Sequence, residues 1–191
     1  MTTQSPRRDS TRLPDPNFVH PEIIAPETTS GRVVRYAAVA LRLSLGWIFL
    51  WAFLDKTFGL GHETTRAQAW IHGGSPTKGF LSFGATGPFE SFYHSISGQA
   101  WADWLFMAGL LGIGVALIAG IAMRLAAAAG TVLLVMMWSV ALPPANNVFM
   151  DDHLVYATIL ILLAAVGAGS TLGLGKAWES LPLVKRNGWL R

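Results

Sequence analysis

The residues best suited to chemistry stand together at Asp151-Asp152-His153. An imidazole titrates near neutrality, and beside carboxylates it can move protons to and from a redox partner such as a quinone. Asp152 and His153 are therefore the candidate catalytic pair, with Asn146, Asn147 and Tyr156 adding hydrogen-bonding groups close by. The competing reading of Asp151 or Asp152 is a helix N-cap, where a carboxylate accepts free backbone N–H groups and suits the helix dipole. Asp55, Lys56 and Asp103 fall at other helix ends and join Asp151 in an outer-face polar cluster. Arg42 differs because it interrupts an apolar run, about seven residues or roughly 10 Å inside its helix. An ionisable side chain at that depth is a functional candidate by default. Its guanidinium either snorkels back to the headgroups or meets a backbone carbonyl, a lipid phosphate or a quinone oxygen. Trp47, Trp51, Trp104 and Tyr156 could wall a quinone beside Arg42, and the tryptophans read equally as an interfacial aromatic belt. His62, His72, His94 and His153 leave bis-His haem ligation open alongside plain surface roles. No metal site is expected. The chain has no cysteine, so covalent haem, an iron–sulfur cluster, thiolate zinc and disulfides within it are excluded.

The elements that must position these groups follow from where charge is missing. Of 191 residues, 13% are charged and 52% hydrophobic, with a mean hydropathy of +0.43. A soluble domain carries about a quarter charged residues, and one of this size must still cover the surface it leaves exposed. An integral membrane protein is the class that remains. From Trp104 to Met150 the single charge is Arg124, and from Leu154 to Gly175 there is none. A hydrocarbon core about 30 Å thick takes about 20 apolar residues in helix. The expected fold is all-α, an integral membrane four-helix bundle with helices at about 35–55, 101–122, 124–142 and 152–172. Pro143-Pro144 stops the third, because proline removes a donor and clashes with the preceding turn.

Outside the helices, residues 1–30 hold five of the ten prolines and form an expected disordered cytoplasmic arm, without a cleavable signal peptide. The basic tail is residues 179–191. The loop at 56–100 contains eight glycines and seven aromatics, too apolar to be freely solvated, and is expected to be partly structured at the outer face. Thr65 and Gln68 have capping-box spacing ahead of a short helix at about 66–72. Ala108, Gly112, Ala116 and Gly120 line one helix face with small residues, for packing within the bundle or against another subunit. Lys and Arg concentrate in the N-terminal flank, at Arg124 and in the tail, so both termini are expected to be cytoplasmic. That placement turns the pI near 9.6 into a sign of membrane lipids, not nucleic acid.

Several segments resemble the DoxX/DoxD family of small membrane proteins. They are Leu41-Arg42-Leu43-Ser44-Leu45-Gly46-Trp47 leading to Asp55-Lys56, then Trp70-Ile71-His72-Gly73-Gly74-Ser75-Pro76-Thr77 with Gly79-Phe80-Leu81, and Asp151-Asp152-His153-Leu154-Val155-Tyr156 running to Gly173-Leu174-Gly175. The resemblance covers about residues 35–178, and the loop and last-helix segments are similar to the DoxD-like branch. It implies a bacterial cytoplasmic membrane, a respiratory setting, and a subunit like that of thiosulfate:quinone oxidoreductase. The matching positions are Arg42, Asp55, Lys56, Asp152 and His153. The expected function is a quinone-binding oxidoreductase subunit handling protons at the outer face, with other subunits of the complex or further copies of itself as partners. A non-catalytic scaffold that anchors redox or respiratory partners is the alternative, and a small transporter is disfavoured because the later helices have no sustained polar face.

Overall fold

The computed structural model describes residues 28–191, and the proposed arm lies outside the described residues up to Glu27. Among the described residues there is no strand. The first helix, α1, spans Thr29–Phe58, so it begins inside the segment assigned to the arm. Thr28 sets that start, since its side chain accepts the Gly31 N–H at 3.1 Å. α2 is a short helix at Glu90–Ile96, followed by α3 at Ala100–Ala119, α4 at Met123–Val140 and α5 at Asp152–Ala165. Two short helices close the chain, α6 at Gly175–Ser180 and α7 at Pro182–Arg186.

α1, α3 and α4 are long and apolar enough to cross a bilayer. Only 33%, 39% and 33% of their apolar windows are buried inside the protein, so most of each window faces outward and needs an apolar surrounding. Helix α5 does not reach the length expected of it. Instead of running to 172 it stops at Ala165, and a 3-10 turn at Ala168–Ser170 folds the chain back. The cause is local as well as tertiary: Gly167, just past the C-cap Val166, takes the left-handed conformation at φ 65 that ends helices. A Cβ on Gly169 would stand 2.4 Å from the Gly120 oxygen, and one on Gly175 2.5 Å from the Gly169 oxygen, so this segment packs backbone to backbone against the α3–α4 hinge.

The long helices pack in sequence, α1 on α3, α3 on α4 and α4 on α5, with α5 returning to α1. Leu45, Phe49, Met107, Ile113, Leu117, Leu134 and Leu160 lie in the buried cluster between them. In lipid such burial gains little from water exclusion, and close packing decides instead. α1 and α3 approach at Gly46, where a Cβ would meet Ile118 at 2.8 Å, and at Gly114, where it would meet the Leu50 nitrogen at 2.8 Å. Half of the small-residue stripe picked from the sequence packs inside the stack, Ala116 on the buried cluster and Gly120 against Arg42 and Gly169, whereas Ala108 and Gly112 are exposed.

The outer segment between α1 and α3 is structured throughout. The short helix expected at 66–72 is two 3-10 turns, Arg66–Gln68 and Trp70–His72, divided at the buried Ala69. Gln68 Oε1 accepts from the Thr65 N–H at 3.3 Å and hydroxyl at 2.8 Å. A π-helical turn at Phe80–Gly84 then leads to α2, and Leu81, Ala85 and Tyr93 pack with Val140 at the end of α4. The tail also folds: Trp178 Nε1 donates to the Leu190 oxygen at 2.7 Å, and the Arg124 N–H to the Arg191 oxygen at 2.7 Å.

Candidate functional site

Arg42 is wholly buried, so the snorkelling alternative is overturned. Its Nη1 donates to the carbonyls of Leu117 at 2.9 Å and Ile118 at 3.2 Å, and its Nη2 to that of Leu172 at 2.9 Å. The last carbonyls of a helix lack intrahelical partners and carry the negative end of its dipole. α3 ends at Ala119, so the guanidinium caps α3 and ties the returning segment to it. Glycine makes the room: a Cβ on Gly120 would sit 2.3 Å from Nη1, and one on Gly173 3.0 Å from it. Nε is buried without a partner. Of the partners open to Arg42 from the sequence, backbone carbonyls are the ones it meets.

At the opposite end, two carboxylates do the converse. Asp55, in the last turn of α1, accepts the backbone N–H groups of His62 at 3.4 Å, Glu63 at 3.0 Å and Thr64 at 2.9 Å. Asp103, in the first turn of α3, receives the Ser75 hydroxyl at 2.9 Å, the Thr77 N–H at 3.0 Å and the Thr77 hydroxyl at 2.6 Å, all on Oδ1. Both are nearly buried. Each pins a stretch of outer loop to a helix end, and neither bonds to the Asp151–His153 group among the described residues. Lys56 reaches only Glu63, at 3.8 Å, and that carboxylate is 86% exposed.

The third outer group retains chemical freedom. Asp151 is the N-cap of α5, with Oδ1 accepting the Leu154 N–H at 3.3 Å. Its Oδ2 lies 2.7 Å from His153 Nδ1, whereas Asp152 Oδ1 lies 3.6 Å away on a side chain 67% exposed. The carboxylate that engages the imidazole is thus Asp151, which the sequence reading placed in the polar cluster, with Asp152 as an outer neighbour. An Nδ1–H donated to Asp151 leaves Nε2 as the acceptor, and Nε2 makes no hydrogen bond among the described residues. The ligand atoms of Asp151, Asp152 and His153 also lie within 4.8 Å of one another, close enough to share a cation.

The aromatic candidates are dispersed. Trp47 and Trp104 are more than half exposed, on outward faces of α1 and α3. Trp47 stacks at 5.7 Å on Trp51, Trp51 meets His62 edge-on at 5.1 Å, and Trp104 meets Trp70 at 4.6 Å. Tyr156 packs against the buried cluster. His94 turns to Glu90 at 3.9 Å, so His62, His94 and His153 keep different company. Two contacts had no signal in the sequence: Tyr93, whose hydroxyl bonds Ser139, and Trp138, whose Nε1 donates to the Phe149 oxygen at 2.6 Å and holds the α4–α5 loop. No family model, curated protein or solved structure matches the chain.

Proposed function

We propose that the chain is an integral membrane subunit of a quinone-linked respiratory oxidoreductase of the DoxX/DoxD kind, handling protons at its outer face. In this reading α5 crosses the bilayer with α1, α3 and α4 as a four-helix bundle, its 14 residues covering about 21 Å by helical rise before the chain turns back. The termini lie in the bacterial cytoplasm, where Lys and Arg concentrate. The observation that carries the proposal is the Asp151–His153 pair: a carboxylate fixes the imidazole through Nδ1 and leaves Nε2 to exchange a proton. Arg42 is committed to carbonyls, so a quinone headgroup is better met near His153 and Tyr156 than at Arg42.

A quinone held there would accept electrons from a partner subunit, and the chain's own part is to deliver the protons that reduction requires. The test is quinone extraction from the purified protein, followed by quinone reduction in nanodiscs with its co-purifying partners. His153→Ala is expected to slow reduction by about a hundredfold, within the usual range for losing a general acid–base group, with the melting temperature unchanged. An unaffected rate, or a folded protein that retains no quinone, overturns the reading. The second reading, a non-catalytic scaffold, is favoured by Asp55, Asp103 and the Nη groups of Arg42, which are spent on partners within the chain. It expects partners to be lost when residues 1–27 are deleted, a cut that spares the Thr28 cap.

A further inference from the structure

A lateral groove of about 440 Å³ runs between α4 and α5 on the surface of the helices, and none of Arg42, Asp55, Asp103, Asp151 and His153 lines it. The small side chains of Ala127, Ala128 and Ala164 leave it open, and the exposed Val132 and Ile161 flank it. Arg124, in the first turn of α4, lines it at one end. The Arg124 guanidinium is exposed and gives one bond, from Nη1 to the Gly188 oxygen at 3.0 Å. No carboxylate pairs with it among the described residues. Its other N–H groups remain for an anion, and a guanidinium fork suits phosphate. The Arg124 backbone N–H is already taken by the Arg191 oxygen, so the side chain alone supplies the site. Further along the same lining, about 10 Å from Arg124 by helical rise, the Thr131 hydroxyl is buried without a partner.

We propose that this groove seats an acyl chain of an acidic phospholipid whose phosphate pairs with Arg124. The inference rests on α4 and α5 lying in the bilayer and is independent of quinone. Charge complementarity selects the occupant. An apolar trough ending at a cation with no carboxylate partner among the described residues matches an amphiphile with an anionic head. A second copy would have to bring a carboxylate to this end, where Lys176, Lys185, Arg186 and Arg191 outnumber the single acidic side chain of residues 175–191, Glu179.

The full chain, purified in detergent and stripped of lipid, is titrated with phosphatidylglycerol and phosphatidylcholine and read by native mass spectrometry. Phosphatidylglycerol is expected to bind at least fivefold more tightly. Arg124→Gln, which removes the charge, is expected to erase that preference. Ala128→Phe, made at an exposed position, is expected to weaken phosphatidylglycerol binding at least fivefold, and Val132→Trp fills the same groove if the first variant does not fold. Equal binding of the two lipids, or a preference that survives Arg124→Gln, overturns the proposal. So does competition by millimolar inorganic phosphate that displaces the lipid entirely, which means a free-anion site, or a dimer that Ala128→Phe dissolves, which means a second copy fills the groove.

Discussion

The two ends of the helical stack solve the same problem with opposite charges. At one end a cation, Arg42, is buried against main-chain carbonyls of α3 and of the segment after α5. At the other, the carboxylates Asp55 and Asp103 are buried against main-chain N–H groups and hydroxyls of the outer loop. Neither end uses an ion pair for the buried charge. A backbone group without a partner is costly to bury, and each end meets that cost by aiming one ionised side chain at several of them. The surfaces follow suit. Arg32, Arg35, Arg124, Lys176, Lys185, Arg186 and Arg191 outnumber Glu179 toward the Arg42 end, while Asp55, Glu63, Glu90, Asp103, Asp151 and Asp152 outnumber Lys56, Arg66 and Lys78 toward the other. The pattern teaches that Arg42, Asp55 and Asp103 hold the fold, and that the Asp151–His153 pair differs because one ring nitrogen of His153 makes no hydrogen bond among the described residues.

The comparison breaks most visibly at Arg42. Arg42→Leu leaves the Leu117, Ile118 and Leu172 carbonyls without the guanidinium, and each buried acceptor left unsatisfied costs about 1–3 kcal/mol. Unfolding in detergent micelles should show a loss of that order, with the 166–175 segment becoming the first site of proteolysis. Arg42→Lys should recover little, because an ammonium cannot span both the α3 end and Leu172. At the other end the effect should be smaller and local. Asp103→Leu removes the acceptor shared by Ser75 and Thr77, a loss of about 2 kcal/mol at the usual cost of unsatisfied buried groups. Tryptic cleavage after Lys78 should accelerate while the helices stay folded, as circular dichroism would report. Unfolding of the whole helical stack in Asp103→Leu would show that the ends are not separate units.

How much of this could be read from the residues depends on the kind of signal. Long charge-free runs located α1, α3 and α4 because a span must be apolar over most of its length. The end of α5 left no such mark. No charge marks it; the stop comes from Gly167 in the left-handed conformation and from Gly169 meeting the Gly120 backbone, some fifty positions away in the chain. Arg42 was conspicuous, yet its partners were not, since every residue carries a carbonyl and none advertises that it is unpaired. The same holds for Asp55 and Asp103, whose partners are loop N–H groups and hydroxyls with ordinary sequence neighbours. Choosing between Asp151 and Asp152 required knowing which residue is the N-cap, because a shift of one position at a helix start swings a side chain from the imidazole toward solvent.

The smallest effect sharpens the contrast between buried and exposed charge at a single site. Lys56 follows Asp55 directly, and its ammonium stands 3.8 Å from Glu63, whose N–H is one of those that Asp55 binds. Asp55 is 3% exposed, while the Glu63 carboxylate is open to water on most of its surface. Solvent screening leaves such an exposed pair worth about 0–1 kcal/mol. Lys56→Met should therefore shift the unfolding midpoint barely at all, and added salt should change the native protein and the variant alike. Asp55→Leu, one residue away, should release the 59–64 turn and expose Arg66 to trypsin. If Lys56→Met instead matched Asp55→Leu, the turn would be held by the ion pair, and the rule drawn from the two ends, buried charge held by backbone, would fail at the outer one.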